Sequence, residues 1–273
     1  MELRQAALQA LRLPDPALKV TAVHQLWAEA AASPLADHPL PEPADLPGRP
    51  ALPRLVHPAR VPRRPPASAA GRAALVYAIC HIEFNAINLA LDAVWRFAGL
   101  PRAFYLDWLR VAHEEAHHFA LLHEHLQTLG HRYGDFSAHD GLWAMCEKTR
   151  GDLVARMALV PRTLEARGLD ATPQIQARLR QVGSADALRA VEILDIILGE
   201  EVGHVAIGNH WYRWCCEREG LDPVAHYGLL VERYQAPRLH PPFNRDARQR
   251  AGFSEEEIAY LLGEPLPADA VKV

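Results

Sequence analysis

Six residues have the types and the spacing of ligands for a pair of metal ions. In chain order they are Glu83, Glu115-x-x-His118, Glu165 and Glu201-x-x-His204. The lone glutamate precedes its Glu-x-x-His pair by 32 residues in the first half (83 to 115) and by 36 in the second (165 to 201). Residues three apart share one face of a helix, so both side chains of each pair can reach the same ion.

The four glutamates fall among apolar residues on helix faces that the pattern predicts to be buried. A carboxylate in a dry core costs several kcal/mol of folding free energy unless it is compensated, and four that converge also repel one another. Lysine and arginine are scarce on these faces. Two divalent cations would balance the charge of four carboxylates, so the pattern predicts a dinuclear metal site. A mononuclear site is the alternative.

A shifted register of the second pair stays open as an alternative. Glu114 and His117 are also three residues apart, but their face of the helix is polar and we disfavour it. Further histidines surround this helix, and they indicate a solvated face, with an adventitious surface metal site as the alternative. They are His113, His117, His123, His125 and His131.

Four long helices must position these residues. They are predicted over Arg72–Phe97, Arg102–Leu129, Ala138–Arg167 and Ala185–Glu219, and glycine or Gly-x-Pro follows each one. No segment alternates polar and apolar residues as a strand does. The predicted fold class is therefore all-α, an antiparallel four-helix bundle. Pro161, one turn before Glu165, predicts a kink, which either opens the bundle beside the metals or has no role.

The segments before and after this bundle differ from it in composition and in predicted secondary structure. Two short helices, Leu3–Leu13 and Pro16–Ala32, precede a segment from Pro34 to Pro66 that holds half of the 22 prolines and predicts extended chain. After the bundle we expect a helix over Pro223–Tyr234 and a last one that a capping box opens at Ser254. The predicted division is 1–70, an N-terminal Pro-rich extension; 71–220, the bundle; and 221–273, a small helical tail.

Composition narrows the class of protein. The 273 residues are 49% hydrophobic and 23% charged, with a net charge of −4. No apolar run reaches the ~18–20 residues of a membrane span, and the first residues lack the order of a signal peptide. We therefore expect a cytoplasmic protein with no membrane partner. The negative charge argues against a nucleic-acid partner, although a tRNA substrate stays open.

The same motifs resemble those of the ferritin-like di-iron carboxylate superfamily. More closely, the chain resembles a bacterial ferritin-like family without assigned function, some members of which carry a rhamnosyltransferase label. That label has no support here, because the chain shows no nucleotide-sugar signature and no sign of a mixed sheet. The resemblance rests on four segments: His81–Asp92, Glu114–Phe119, Arg156–Asp170 and Glu200–Gly208.

The resemblance implies a ferritin-like four-helix bundle that holds two iron ions, or manganese and iron, on the six ligands. It also implies that Glu200 bonds the second ring nitrogen of His118 and that Glu114 does so for His204. The implied activity is that of an O₂-dependent oxidoreductase or hydroxylase with a small-molecule substrate and an electron donor. The alternative is a protein that binds or oxidises iron, or uses metal structurally, without substrate turnover. Catalytic residues beyond the ligands, the substrate and the oligomeric state are left open.

Overall fold

The computed structural model describes residues 1–62 and 64–264, so the end of the predicted tail, 265–273, lies outside the described residues. Within these ranges the chain is all-helical, and its only β pairing is a single parallel bridge between Leu55 and Ala138. The α-helices are α1 Leu3–Arg12, α2 Pro16–Glu29, α3 Ala69–Arg96, α4 Arg102–Thr128, α5 Gly141–Lys148, α6 Leu153–Leu159, α7 Ala166–Val182, α8 Ala185–Glu219, α9 Pro223–Arg233, α10 Arg245–Arg250 and α11 Glu255–Leu262. A 3₁₀ turn spans Pro58–Arg60, and a π-helical segment spans Val160–Glu165.

The chain forms two compact units. Unit 1 consists of Met1–Ala144 with Gln176–Leu194, and unit 2 consists of Met145–Ile175 with the chain from Asp195 onward. The boundaries fall inside α5, α7 and α8, so these three helices contribute residues to both units.

Unit 1 is built around the helix pair α3 and α4. A short turn joins them, in which Gly99 has a φ of +72°, a conformation that L side chains rarely adopt. The hydroxyl of Tyr105 closes this turn, because it donates to the carbonyl oxygen of Phe97 at 2.9 Å and accepts from the N–H of Leu100 at 3.1 Å. The two helices then pack along their length.

The N-terminal helices are fastened to this pair by buried cations. Lys19 of α2 is fully buried, and its ammonium donates to the carbonyl oxygens of Leu11 at 3.1 Å and Gly48 at 2.9 Å, and to Oδ1 of Asn88 on α3. Arg4 of α1 donates to the carbonyl oxygen of Trp95 at 2.7 Å. These side chains hydrogen-bond carbonyl oxygens near the C-terminal ends of α1 and α3 and one in the extended segment at Gly48.

Unit 2 has its own apolar core and a buried polar network. The core residues are Ala166, Leu169, Val202, Val205, Ala247, Ala251, Phe253 and Ile258. Beside this core, Arg162 donates to Oδ1 of Asn209 at 2.7 Å and pairs with Glu257 at 2.9 Å. The predicted capping box of the last helix is present, since Ser254 and Glu257 exchange hydrogen bonds there.

The prediction of one helix over Ala138–Arg167 is wrong. The structure breaks this stretch after α5, and Asp152 caps a new helix by accepting from the N–H of Ala155 at 2.9 Å. The helix also does not stop at Gly168, because α7 continues to Val182 through both Gly168 and Pro173. A glycine is a frequent helix end but is tolerated in a helix interior when packing favours continuation.

Helix α3 is strongly apolar. It is long and apolar enough to cross a membrane by length and composition. Its most apolar window is 72% buried inside the protein, however, as expected of the core helix of a soluble protein.

Candidate metal centre

Unit 1 brings three of the six predicted ligands together. Glu83 lies on α3, and Glu115 and His118 lie one turn apart on α4. Nδ1 of His118 is 3.3 Å from Oε2 of Glu115 and 3.5 Å from Oε2 of Glu83. One ligand atom of each residue lies within 4.8 Å of those of the other two. This buried carboxylate and histidine cluster could hold a metal ion.

The electrostatics of the cluster favour a cation. Glu83 is 3% exposed, and Glu115 and His118 are fully buried. Burial, and next the negative charge of Glu115, raise the pKa of Glu83 above its usual range. In the part of the chain that the structure describes, no hydrogen-bond donor reaches Oε2 of Glu83. A bound divalent cation would satisfy this oxygen and offset the repulsion, so the residues fit a metal.

Aromatic packing next to the cluster holds α3 against α4. The rings of Phe84 and Phe119, each adjacent in sequence to a candidate ligand, lie 5.6 Å apart. Tyr133 contacts both rings at centroid distances of 5.3 Å. These contacts exclude water from the helix pair and set the separation between Glu83 and Glu115.

Unit 2 contains the other three predicted ligands, and all of them are buried. Glu201 and His204 share one face of α8, with Nδ1 of His204 3.9 Å from Oε2 of Glu201. Glu201 and Glu165 are each 8% exposed, and His204 is fully buried. Glu165 is the last residue of the π-helical segment.

At Pro161, where the sequence predicts a kink, the chain forms this π-helical segment. Proline has no N–H to donate, and here the helix widens instead of ending. The hydroxyl of Thr163 donates to the carbonyl oxygen of Ala158 at 2.8 Å and also contacts the hydroxyl of Tyr227 at 2.9 Å. The widened turn sets the position at which Glu165 enters the core of unit 2. π-Helical segments are frequently found at functional sites.

The two predicted supporting glutamates lie beside the ligands in sequence and are half-buried. Glu114 accepts a hydrogen bond from Nε of Arg110 at 2.8 Å on the outer side of α4. If Glu114 also orients a histidine, its carboxylate must accept hydrogen bonds from both the histidine ring and Arg110. Glu200 precedes Glu201 on α8.

Unit 1 also contains a cavity of about 190 Å³ that was not predicted from the sequence. Arg49 and the extended Pro-rich chain form one side of it, and His81, Asn85 and Tyr133 line another. His81 and Asn85 are one turn apart on α3, and Glu83 between them points about 160–200° away around the helix axis. This cavity therefore does not open onto the Glu83 side of α3. The i, i+4 pair of polar residues in an apolar helix was the signal that could have revealed it.

Comparison with known proteins agrees with the sequence resemblance at the level of family. The model of the family described as "Protein of unknown function (DUF455)" matches residues 12–259. The chain belongs to this family. A Haemophilus influenzae protein described as "Uncharacterized protein" is 51% identical over 219 residues, which cover 78% of this chain and 75% of that protein. No solved structure matches the chain.

Membership in this family comes without an activity, so the function must be argued from the site. The observations that bear on it are the buried carboxylate and histidine cluster of unit 1 and the matching composition of the buried residues in unit 2.

Proposed function

We propose that this protein is a ferritin-like dinuclear metal protein, most simply a di-iron protein, and that it acts as an O₂-dependent oxidoreductase. The observation that carries the proposal is the cluster of Glu83, Glu115 and His118, a carboxylate-rich donor set buried between α3 and α4. Unit 2 supports it with a second set of the same composition, Glu165 with Glu201 and His204. The two sets would together hold the metal pair, on α3, α4, α8 and the π-helical segment, as in a ferritin-like four-helix bundle.

The donor chemistry supports iron or manganese rather than a softer ion. Four carboxylates and two imidazoles are hard to intermediate ligands, which suit Fe²⁺ and Mn²⁺, and four negative charges equal those of two divalent ions. When bound, a ferrous pair supplies the capacity to reduce O₂. The choice between two Fe ions and a Mn/Fe pair would depend on metal supply as well as on the ligands.

The chain's own residues would perform the remaining tasks. Glu83 and Glu115 bind and bring negative charge to the site, and His118 binds through the ring nitrogen that faces them. Fully buried neighbours exclude bulk water, which strengthens each of these interactions. The proposed roles of Glu200 toward His118 and of Glu114 toward His204 are to fix ring orientation and tautomer. The substrate, an electron donor and the cytoplasmic location stay predictions.

The test is metal analysis of the full-length protein, produced with iron and manganese supplied, alongside matched variants. We expect about two Fe, or Fe plus Mn, per chain in the wild type. Glu115→Ala and Glu201→Ala should each remove most of this metal, as the proposed dinuclear site requires. Glu124→Gln is the control, since Glu124 is exposed on the same helix as Glu115.

The activity is tested on the same samples. Anaerobic protein loaded with Fe²⁺ should show a rapid absorbance change on exposure to O₂, and Glu115→Ala should lose it. Uptake of many iron atoms per chain would instead indicate iron storage. A bound metal that does not react with O₂ would indicate a structural role. Either result contradicts the oxidoreductase proposal. Zinc that survives both alanine substitutions contradicts the dinuclear redox site itself.

A further inference from the structure

A second group of metal-binding side chains lies on unit 1, away from the carboxylate cluster. His24 of α2 and His113 of α4 meet with their Nδ1 atoms 2.8 Å apart. Their rings are edge to face, with centroids 4.6 Å apart and an interplanar angle of 78°. Two imidazole nitrogens in such contact either share a proton or can take up a cation between them.

A third histidine on the same helix extends the pair. His117 follows His113 by one turn of α4, so both lie on one helix face, and His117 is exposed. The segment His113-Glu-Glu-Ala-His117 has the H-E-x-x-H spacing by which two imidazoles on a helix bind one zinc ion. The glutamate that follows the first histidine is Glu114, which accepts from Arg110 at 2.8 Å. Because Arg110 neutralises Glu114, we infer metal binding here and not hydrolysis.

Packing of α2 on α4 fixes the contact between His24 and His113. Arg102, at the start of α4, donates to the carbonyl oxygens of Ala30 at 2.7 Å and of Ala31 and Ser33 at 2.9 Å, beyond the end of α2. The two helices are thus tied at a second point, and α2 runs antiparallel to α4. Trp27, one turn after His24, stacks on the ring of His113 at 5.7 Å. The imidazole pair is therefore held by helix packing and by an aromatic neighbour.

We propose that His24, His113 and His117 form a metal site for a borderline cation such as Zn²⁺ or Cu²⁺, separate from the carboxylate site. Three neutral imidazoles without a carboxylate favour Cu²⁺, Ni²⁺ and Zn²⁺ over Mn²⁺. Metal–nitrogen bonds of about 2.0–2.1 Å would require the two Nδ1 atoms to separate by roughly half an ångström. The bound ion would cross-link α2 to α4, so it should stabilise unit 1.

The experiment is a titration of metal-free, full-length protein with Cu²⁺, followed by electron paramagnetic resonance. We expect one equivalent to give a spectrum with nitrogen superhyperfine splitting. His24→Gln and His117→Gln should each weaken this binding by roughly tenfold or more. The control is His123→Gln, because His123 is on the same helix and packs on Phe119 instead. His117 is exposed, so its substitution should leave folding intact, which circular dichroism will verify.

A Glu115→Gln background separates this site from the carboxylate site. The nitrogen-split signal should persist in Glu115→Gln and weaken in His24→Gln. A signal that disappears in Glu115→Gln but survives in His24→Gln would assign the copper to His118 or His204 and overturn the proposal. Unchanged affinity in both His24→Gln and His117→Gln, or no such signal in the wild type, would leave only an imidazole–imidazole hydrogen bond and also overturn it. Neither result depends on whether the carboxylate site takes up iron.

Discussion

Gly208 of α8 packs directly against Pro161 of the π-helical segment. A β-carbon on Gly208 would lie 2.6 Å from Cβ of Pro161 and 2.7 Å from its Cγ, closer than real β-carbons approach. Both atoms belong to a proline ring, which cannot move aside as a flexible side chain can. The missing side chain at Gly208 therefore makes room for the widened turn that ends at Glu165.

Gly208→Ala is expected to destabilise the protein by about 1–3 kcal/mol, because the added methyl group overpacks the contact with Pro161. Gly199→Ala is the matched control on the same helix, since no heavy atom lies within 4 Å of its β-carbon position. That substitution should instead stabilise by about 0.5–1 kcal/mol, as alanine favours a helix over glycine. Urea unfolding of the wild type and the two variants measures the size and sign of both stability changes. Equal effects at the two positions would contradict the packing argument.

Lys19→Met is expected to destabilise the protein by about 1–3 kcal/mol or more. The substitution preserves the aliphatic stem but removes the donor to the carbonyl oxygen of Gly48 and to Oδ1 of Asn88, and it leaves the carbonyl oxygen of Leu11 with only the N–H of Gly48. Gln25→Met, at an exposed position on the same helix, controls for the general effect of methionine. Thermal unfolding with far-ultraviolet circular dichroism provides the comparison. A Lys19→Met protein as stable as the control would show that the ammonium is not a structural brace.

Stability in acid should depend on Glu257. Burial raises the pKa of this carboxyl, but the guanidinium of Arg162 at 2.9 Å, the backbone N–H of Ser254 at 2.7 Å and the guanidinium of Arg213 at 2.6 Å together outweigh burial and hold its pKa below the usual 4.5. A group with a lowered folded-state pKa contributes stability above the unfolded pKa and loses it as pH falls through the folded pKa. The free energy of unfolding should therefore decrease as the pH is lowered below 4.5.

Substitution of Glu257 isolates this contribution. Glu257→Gln should be less stable than the wild type at pH 7, and the gap should narrow as the pH is lowered below 4.5. Glu255→Gln is the control on the same helix, because the contacts of Glu255 with Arg245 and Gln249 are exposed. Urea unfolding across this range measures the difference. A gap that stays constant with pH would show that the ion pairs of Glu257 do not govern it.

The effect of a substitution at Glu83 on thermal stability should have opposite signs in the metal-free and the metal-loaded protein. In the metal-free protein, Glu83→Gln removes a carboxyl group whose ionised form is opposed first by burial and then by the charge of Glu115, so it should stabilise on the order of 1 kcal/mol and raise the melting temperature by a few degrees. With Fe²⁺ under anaerobic conditions the wild type should gain stability and the variant should not. Calorimetry gives the melting temperatures of the wild type and of Glu83→Gln, each with chelator and with Fe²⁺. A variant that melts lower than the wild type in chelator would contradict a repulsive carboxylate pair.

Local sequence signals predicted most of the helices. The bounds of α8 are Ala185–Glu219 as predicted, and those of α4 differ from prediction by one residue, because Pro101 precedes α4 and a glycine follows each helix. The π-helical segment was not predictable in this way. It depends on the contact of Thr163 with Tyr227 and on the close approach of Gly208, and both partners lie far along the chain.

Residue types and helical spacing alone indicate which residues could bind metal, in what order they occur, and that they lie on buried helix faces. Those properties follow from residue type and helical period, which are local. The contact of Glu83 with Glu115 and His118 across the α3–α4 pair, and that of His24 with His113, 89 residues later, result instead from tertiary packing. Such contacts depend on how helices pack, and packing is set by many side chains at once, so no spacing along the chain encodes it.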